Sequence, residues 1–198
     1  MKPPLFNKIK SNRPFGDCPV YTADPTDKAL CECDPESNQT CGEGSDCINR
    51  LLMQECRPST CRSGEKCQNQ RFQRRKYPPL KVTRTKSRGW GLFNHADIKR
   101  GDFIIEYVGE MITIEEFKMR IDRSIKNKEE QNYYYMTMDN NRMLDAGPRG
   151  NIARFVNHSC DPNSETQKWT VNGDTRIGLF ALKDLPAGNN AKKSAKNS

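Results

Sequence analysis

The chain has 198 residues, enough for one ordinary domain and a small satellite. Only 34% of the residues are hydrophobic and the mean hydropathy is −0.93, so we expect one core with polar flanks. The sequence has no run near the roughly 18 consecutive apolar residues of a membrane span and no apolar secretory segment at its start, which predicts a soluble, intracellular protein without membrane contact. A net charge of +8 is equally consistent with a polyanionic partner such as nucleic acid and with a merely solvated surface.

The cysteines divide the chain into unlike parts. Residues 1–27 lack hydrophobic periodicity and predict a loosely ordered arm, whereas residues 28–75 hold seven of the nine cysteines. Because this second segment has few large aliphatic side chains, apolar burial alone cannot offset the entropy lost on ordering it. The clustered cysteines are Cys31, Cys33, Cys41, Cys47, Cys56, Cys61 and Cys67.

Structural zinc is the preferred explanation for this cluster. Seven cysteines cannot all pair as disulfides, and the reducing interior of a cell disfavours disulfides. Two zinc ions need eight sulfur positions, which seven thiolates supply if one of them bridges; the spacing leaves the bridging residue open. The alternative is a disulfide knot in a secreted fragment, with Cys18 making the number even. A zinc closed by four thiolates has no open position, so the segment is predicted to be scaffold.

Residues 76–188 are predicted to form a mainly β core with one modest helix. The helix begins at Thr113, which stands in a capping-box relation to Glu116, and ends near Gln131. Asn172-Gly173 is a strong hairpin signal, because a type I′ turn needs two positive φ angles. Residues 189–198 are predicted to be a disordered basic tail. The predicted strands are 80–85, 92–93, 103–110, 133–138, 142–145, 169–171 and 175–182.

One short segment of the core carries unusual chemistry. Residues 154–160 place an amide, an imidazole, a hydroxyl and a thiol close together, which a turn does not require. A Cys-His nucleophile is one interpretation, but catalytic Cys and His residues usually come from distant parts of a sequence. The Gly89-Trp90-Gly91 segment, taken singly, indicates no more than a tight turn.

Taken together and in order, these motifs resemble SET-domain histone lysine methyltransferases. After the cysteine cluster, residues 89–91 read GWG, 106–110 EYVGE, 145–151 DAGPRGN, 154–163 RFVNHSCDPN and 165–174 ETQKWTVNGD. The similarity is closest to the nuclear-receptor-binding SET-domain family and its insect relatives, in which a cysteine-rich AWS segment precedes the SET domain. It covers about residues 28–188.

The resemblance implies a SET-domain fold that transfers methyl from S-adenosylmethionine to a histone H3 lysine, lysine 36, in nucleosomes. Nuclear chromatin is the implied location, and nucleosomal DNA an implied partner through the basic surface. Tyr107 and Tyr135 are implied to form the aromatic wall of the lysine channel. The implied cofactor-binding residues are Arg88, Gly89, Trp90, Asn132, Tyr133, Tyr134, Arg154, Asn157 and His158.

The sequence departs from the family after Pro186-Ala187-Gly188. The family continues with a strand of the type E-L-T-F-x-Y, whose tyrosine faces the transferring methyl, whereas residues 189–191 read Asn-Asn-Ala and no tyrosine follows. The post-SET cysteines, which in the family bind a third zinc with the equivalent of Cys160, are missing, and Ser164 stands where relatives commonly have cysteine. We therefore expect a C-terminally incomplete SET domain with impaired activity.

A non-catalytic function is the alternative to methyl transfer. A zinc-containing fragment could dock on chromatin through basic residues that follow the cysteine cluster. The cofactor motifs favour the enzyme, and the missing tyrosine favours docking. The basic residues are Arg71, Arg74, Arg75 and Lys76.

Overall fold

The structure, a computed structural model, describes residues 3–24, 26, 29–86, 89–128 and 134–194. Within these ranges the fold is mainly β, as predicted, and no helix there is both long and apolar enough to cross a membrane. The strands are β1 (Asn7–Lys8), β2 (Arg13–Pro14), β3 (Leu80–Arg84), β4 (Trp90–Asn94), β5 (Phe103–Tyr107), β6 (Gly109–Thr113), β7 (Tyr135–Thr137), β8 (Arg142–Gly150), β9 (Asn157–His158), β10 (Ser164–Val171), β11 (Asp174–Ala181) and β12 (Lys192–Lys193). The helices are α1 (Ile48–Leu51) and α2 (Ile114–Lys126), and two 3₁₀ turns span Gly64–Lys66 and Ile152–Phe155.

Two five-stranded sheets build the core. The first has the order β1-β8-β6-β2, with β7 also paired to β8, and the second has the order β5-β11-β10-β12-β9; β3 and β4 pair separately. The predicted strand 103–110 divides at Val108 into β5 and β6, which enter different sheets. All five residues of β5 are buried, which accounts for the apolar run Phe103-Ile104-Ile105 at its start.

Local sequence signals set the helix and the main hairpin. The side chain of Thr113 accepts a hydrogen bond from the backbone N–H of Glu116 over 3.2 Å, which confirms Thr113 as the N-cap of α2. The helix ends at Lys126, earlier than predicted. Asn172 and Gly173 have φ angles of 52° and 85° and join β10 to its antiparallel partner β11, so this hairpin prediction is confirmed.

Short strands lie in the N-terminal arm and in the segment predicted to be a basic tail. β1 pairs in parallel with β8 and β2 with β6, so the arm borders the first sheet. β12, in the segment predicted to be disordered, lies between β9 and β10. Pairs this short are held by backbone N–H and C=O groups, which leave no hydrophobic period in the sequence. Most of the described arm is exposed, and Cys18, Ala191 and Lys193 are the residues through which these two segments reach the interior within the described ranges.

An aromatic cluster joins the cysteine-rich segment to the second sheet. The Phe72 ring is fully buried and lies 4.5 Å from the Phe103 ring, centroid to centroid. The Arg71 guanidinium carbon lies 4.7 Å from the Trp169 ring centroid and 4.9 Å from that of Phe180. Such aromatic and cation–π contacts contribute about 0.5–2 kcal/mol each. The cysteine-rich segment is therefore docked on the strands of the core.

Candidate active site and metal centre

The clustered cysteines converge in space. Six of them form one buried group against which Cys33 packs. The Sγ atoms of Cys31 and Cys41 are 3.6 Å apart and those of Cys41 and Cys61 3.9 Å, whereas a disulfide needs about 2.05 Å, and all nine cysteines are free. Four sulfurs at about 2.3 Å from a tetrahedral zinc lie roughly 3.8 Å from one another. The spacing therefore fits metal binding and not a disulfide knot.

Two overlapping sets of four thiols have metal-site geometry. Cys31 and Cys41 belong to both sets, so they are the candidates for the bridging ligand. Hydrogen bonds from Cys67, and from the Asn49 and Asn69 amides at 3.5 and 3.4 Å, lower the pKa of Cys56, whereas burial raises the pKa of its neighbours Cys31, Cys41 and Cys61. A thiolate is the form that binds zinc. The two sets are Cys31, Cys41, Cys56, Cys61 and Cys31, Cys33, Cys41, Cys47.

A second site forms where two predicted cofactor motifs meet. The side-chain amide of Asn157, in β9, donates a hydrogen bond to the backbone oxygen of Trp90, at the start of β4, over 3.3 Å. Gly89 has φ of 64°, a left-handed conformation that favours glycine, and a Cβ at this position would meet no described residue within 4 Å. The backbone is thus open at Gly89, one residue before the Trp90 oxygen that accepts from Asn157. Arg88, Asn132 and Tyr133 lie outside the described residues.

Arg154 is held against an aromatic face of the same site. Its guanidinium carbon lies 3.8 Å from the Tyr134 ring centroid and 4.7 Å from that of Phe6, in the N-terminal arm. Its Nε donates to the Ala146 oxygen over 2.8 Å. Its buried Nη1 has no hydrogen-bond partner within the described ranges. The arm therefore supports a residue that the resemblance assigns to the cofactor.

The two tyrosines assigned to the lysine channel face different surroundings. Tyr107 is buried, and its hydroxyl donates to the backbone oxygen of Tyr134 over 2.9 Å. Burial raises the pKa of Tyr107 well above its ordinary value, so the phenol stays neutral. The Tyr135 ring packs edge-on against Phe117 of α2 at 4.9 Å. Successive strand residues point to opposite faces. The fully buried Met136 therefore faces the core, and Tyr135 points to the other side of β7.

An internal ion pair involves Glu106, the residue before Tyr107 in β5. Glu106 is fully buried in β5, and both its carboxylate oxygens accept hydrogen bonds from the guanidinium of Arg176 in β11. Burial raises the pKa of Glu106, and the Arg176 charge opposes that rise. The side-chain amide of Asn151 donates to the Glu106 backbone oxygen over 2.8 Å. Sequence reasoning missed this pair, since a Glu in a buried strand and an Arg 70 residues away carry no local signal.

Sequence reasoning also missed Lys193, in β12. Its side chain is buried, and its Nζ lies 2.9 Å from the Met136 Sδ and 5.6 Å from the Tyr107 ring centroid. The backbone of β12 pairs with both Asn157 and His158. Desolvation lowers the pKa of His158, and the Lys193 charge lowers it further. A lysine of the predicted tail thus lies inside the site.

The fold is of the SET type. Its features are two β-sheets, a GWG turn joined by a hydrogen bond to the NHS segment, and a cysteine cluster that precedes the sheets in the sequence. The SET domain family model matches residues 89–190, and the AWS domain model matches residues 34–75. The chain belongs to the SET-domain family and carries an AWS domain, which confirms the resemblance seen in the sequence.

Relatives and solved structures agree with this family. The mouse and human proteins named histone-lysine N-methyltransferase, H3 lysine-36 specific, are each 51% identical over 187 residues, covering 94% of this chain and 7% of theirs. Mouse histone-lysine N-methyltransferase NSD3 is 50% identical over 94% of this chain and 13% of its own. The crystal structure of the Chaetomium thermophilum polycomb repressive complex 2 matches with a TM-score of 0.74 and 29% identity, over 83% of this chain and 23% of that chain. This chain spans a small part of the relatives' length.

Proposed function

We propose that this chain is the AWS and SET part of an S-adenosylmethionine-dependent protein-lysine methyltransferase that modifies lysine 36 of histone H3 in nuclear chromatin. The substrate is proposed from the names of the relatives, which are histone-lysine methyltransferases and include one specific for lysine 36 of histone H3. The observation that carries the proposal is the Asn157–Trp90 hydrogen bond, because it joins two segments, 67 residues apart, that the resemblance assigns to the cofactor. Such an enzyme is a chromatin regulator acting on chromosomes.

The residues present fit the cofactor. Trp90 and Tyr134 supply aromatic faces, Asn157 supplies an amide, and Nη1 of Arg154, which has no hydrogen-bond partner among the described residues, supplies a buried donor. When bound, S-adenosylmethionine supplies an electrophilic methyl group on a sulfonium. The acceptor must be a neutral amine, and deprotonating an ordinary lysine at pH 7 costs about 4.6 kcal/mol. A dry channel walled by Tyr107 lowers that cost by desolvating the ammonium.

We propose that the AWS module comprises residues 28–75 and that the SET domain follows from residue 76 to 188. The seven cysteines of the AWS module are proposed to hold two structural zinc ions. Soft thiolates at tetrahedral spacing suit zinc, and Cys31 or Cys41 is the proposed bridge. Elemental analysis of the purified chain tests the count, with two zinc ions per chain expected. Three zinc ions would mean that Cys160 binds a third ion together with other ligands. A zinc-free chain would contradict the zinc assignment.

Chromatin binding is proposed to combine the histone H3 tail with nucleosomal DNA. The charge of +8 and the exposed Arg74, Arg75 and Lys76, next to the AWS module, favour contact with phosphates. The second candidate function is docking without catalysis, which the absence of a tyrosine in residues 189–198 favours. Docking alone needs no cofactor site, so the two functions differ in a measurable way.

Calorimetric titration with S-adenosylmethionine separates these functions. We expect binding by the full chain, and no binding would leave only docking. Turnover on nucleosomes is expected to be very low, because residues 189–198 lack the family tyrosine. A variant with Glu-Leu-Thr-Phe-Asn-Tyr in place of residues 190–195 should turn over faster. Equal turnover by the two proteins would contradict the expectation of impaired activity.

A further inference from the structure

The segment that follows Gly188 places a lysine at the centre of the site. β12 pairs in parallel with β9, in the register Lys192↔Asn157 and Lys193↔His158, and Lys193 also pairs with Ser164 of β10. The Ser159 backbone N–H donates to the Lys193 oxygen over 3.0 Å. These bonds fix the backbone of Lys193 next to the segment that carries the cofactor motif.

The Lys193 side chain enters apolar space beside Tyr107, one of the two tyrosines assigned to the lysine channel. The residue is only 5% exposed, and its Nζ lies 2.9 Å from the Met136 Sδ and 5.6 Å from the Tyr107 ring centroid. Its neighbour Lys192 points to the opposite face of the strand, as alternation requires, and is half-buried. Tyr107 from β5 and His158 from β9 are titratable side chains close to Lys193 among the described residues. One buried amine thus lies beside both the channel and the cofactor motif.

We propose that Lys193 occupies the acceptor position of the methyl-transfer site and that its own Nζ is a methylation site of this chain. The inference rests on the proposed function, because it requires S-adenosylmethionine in the site built by Trp90 and Asn157. The surroundings of Nζ, an aromatic ring and a thioether, are those that suit the side chain of a substrate lysine. An internal lysine in this place competes with a histone lysine for the same space.

Burial prepares this amine for reaction. Desolvation lowers the pKa of Lys193 to about 8, so roughly one molecule in ten carries the neutral amine at pH 7. The ammonium first releases a proton to water. The nitrogen lone pair then forms a bond to the methyl carbon as the carbon–sulfur bond breaks, its electron pair stays on sulfur, and the products are N-methyllysine, as its ammonium form, and S-adenosylhomocysteine.

Mass spectrometry of the full chain incubated with S-adenosylmethionine alone tests the proposal. Digestion at acidic residues leaves Lys192 and Lys193 in one peptide, whose fragmentation locates the methyl group. We expect methylation of Lys193 and not of Lys192, at a rate per molecule independent of protein concentration. The added methyl group should be absent from the Lys193→Met protein and present in the Lys192→Met protein. Methylation elsewhere, or none in a chain that binds S-adenosylmethionine by calorimetry, overturns the inference and leaves the proposed function standing.

A binding measurement gives a second test without turnover. Protonated Lys193 should repel the cationic sulfonium of S-adenosylmethionine but not the neutral S-adenosylhomocysteine. The ratio of their dissociation constants should therefore fall at least about threefold between pH 7 and pH 9.5 in the unaltered chain, and stay constant in Lys193→Met. A constant ratio in the unaltered chain overturns the inference, and failure of both ligands to bind overturns the proposed function as well.

Discussion

The side-chain amide of Asn157 donates to the backbone oxygen of Trp90 across 3.3 Å, and this bond joins β9 to the start of β4. β9 also pairs with β12, and the backbone N–H of Ala191, just before β12, donates to the Leu92 oxygen of β4 over 2.8 Å. The Asn157–Trp90 hydrogen bond is the side-chain part of this connection between the two motifs.

Replacing Asn157 with alanine should weaken S-adenosylmethionine binding. Loss of the amide leaves the Trp90 oxygen without its donor and removes a polar contact to the ligand, which together cost about 1–3 kcal/mol, or roughly 5- to 150-fold in dissociation constant. Calorimetric titration measures the change. Asn140→Ala, in an exposed turn, is the matched control and should bind as the unaltered chain does. Equal affinity of the Asn157→Ala protein would show that the bond plays no part in the cofactor site.

Cys41→Ser should remove more zinc than the loss of one ligand suggests. Cys41 belongs to both candidate sets, so its loss opens both four-sulfur sites if it is the bridge. Zinc content should fall from two per chain to one or none, and the AWS segment should become sensitive to proteases because metal binding supplies its folding energy. Cys160→Ser, at an exposed thiol outside the cluster, should keep two zinc ions. Full zinc content in Cys41→Ser would assign the bridge to Cys31.

The buried pair Glu106–Arg176 should make a large contribution to stability. In Arg176→Met the carboxylate of Glu106, fully buried, loses its partner, and uncompensated buried charges of this kind cost about 3–5 kcal/mol. The free energy of unfolding from urea titration measures the loss. Lys99→Met removes an exposed pair with Asp184 and should leave the unfolding midpoint unchanged. If both variants unfolded at the same urea concentration, the internal pair would have no structural role.

The sequence predicts those parts of the fold that have local causes. Thr113 predicts the start of α2, and Asn172-Gly173 predicts the hairpin, because a helix cap and a type I′ turn are each set by a few adjacent residues. The seven cysteines predict the metal centre by number alone. The pairings of β1, β2 and β12 have no such signal, since each is a two-residue backbone contact with a distant strand. Polar residues such as Lys193 indicate disorder by composition, and only the fold shows that this side chain is buried.

Burial of Lys193 should also make stability depend on pH. Its pKa is about 8 in the folded chain and about 10.4 in an unfolded one, so between these values the unfolded state binds more protons. The free energy of unfolding should therefore rise as pH increases from about 8 towards 10, by at most about 3 kcal/mol from this group. Urea titrations at pH 7.5, 8.5 and 9.5 should show that rise in the unaltered chain and in Lys192→Met, and a smaller one in Lys193→Met. Parallel pH profiles for all three proteins would mean that the Lys193 ammonium is solvated and that β12 does not bury it.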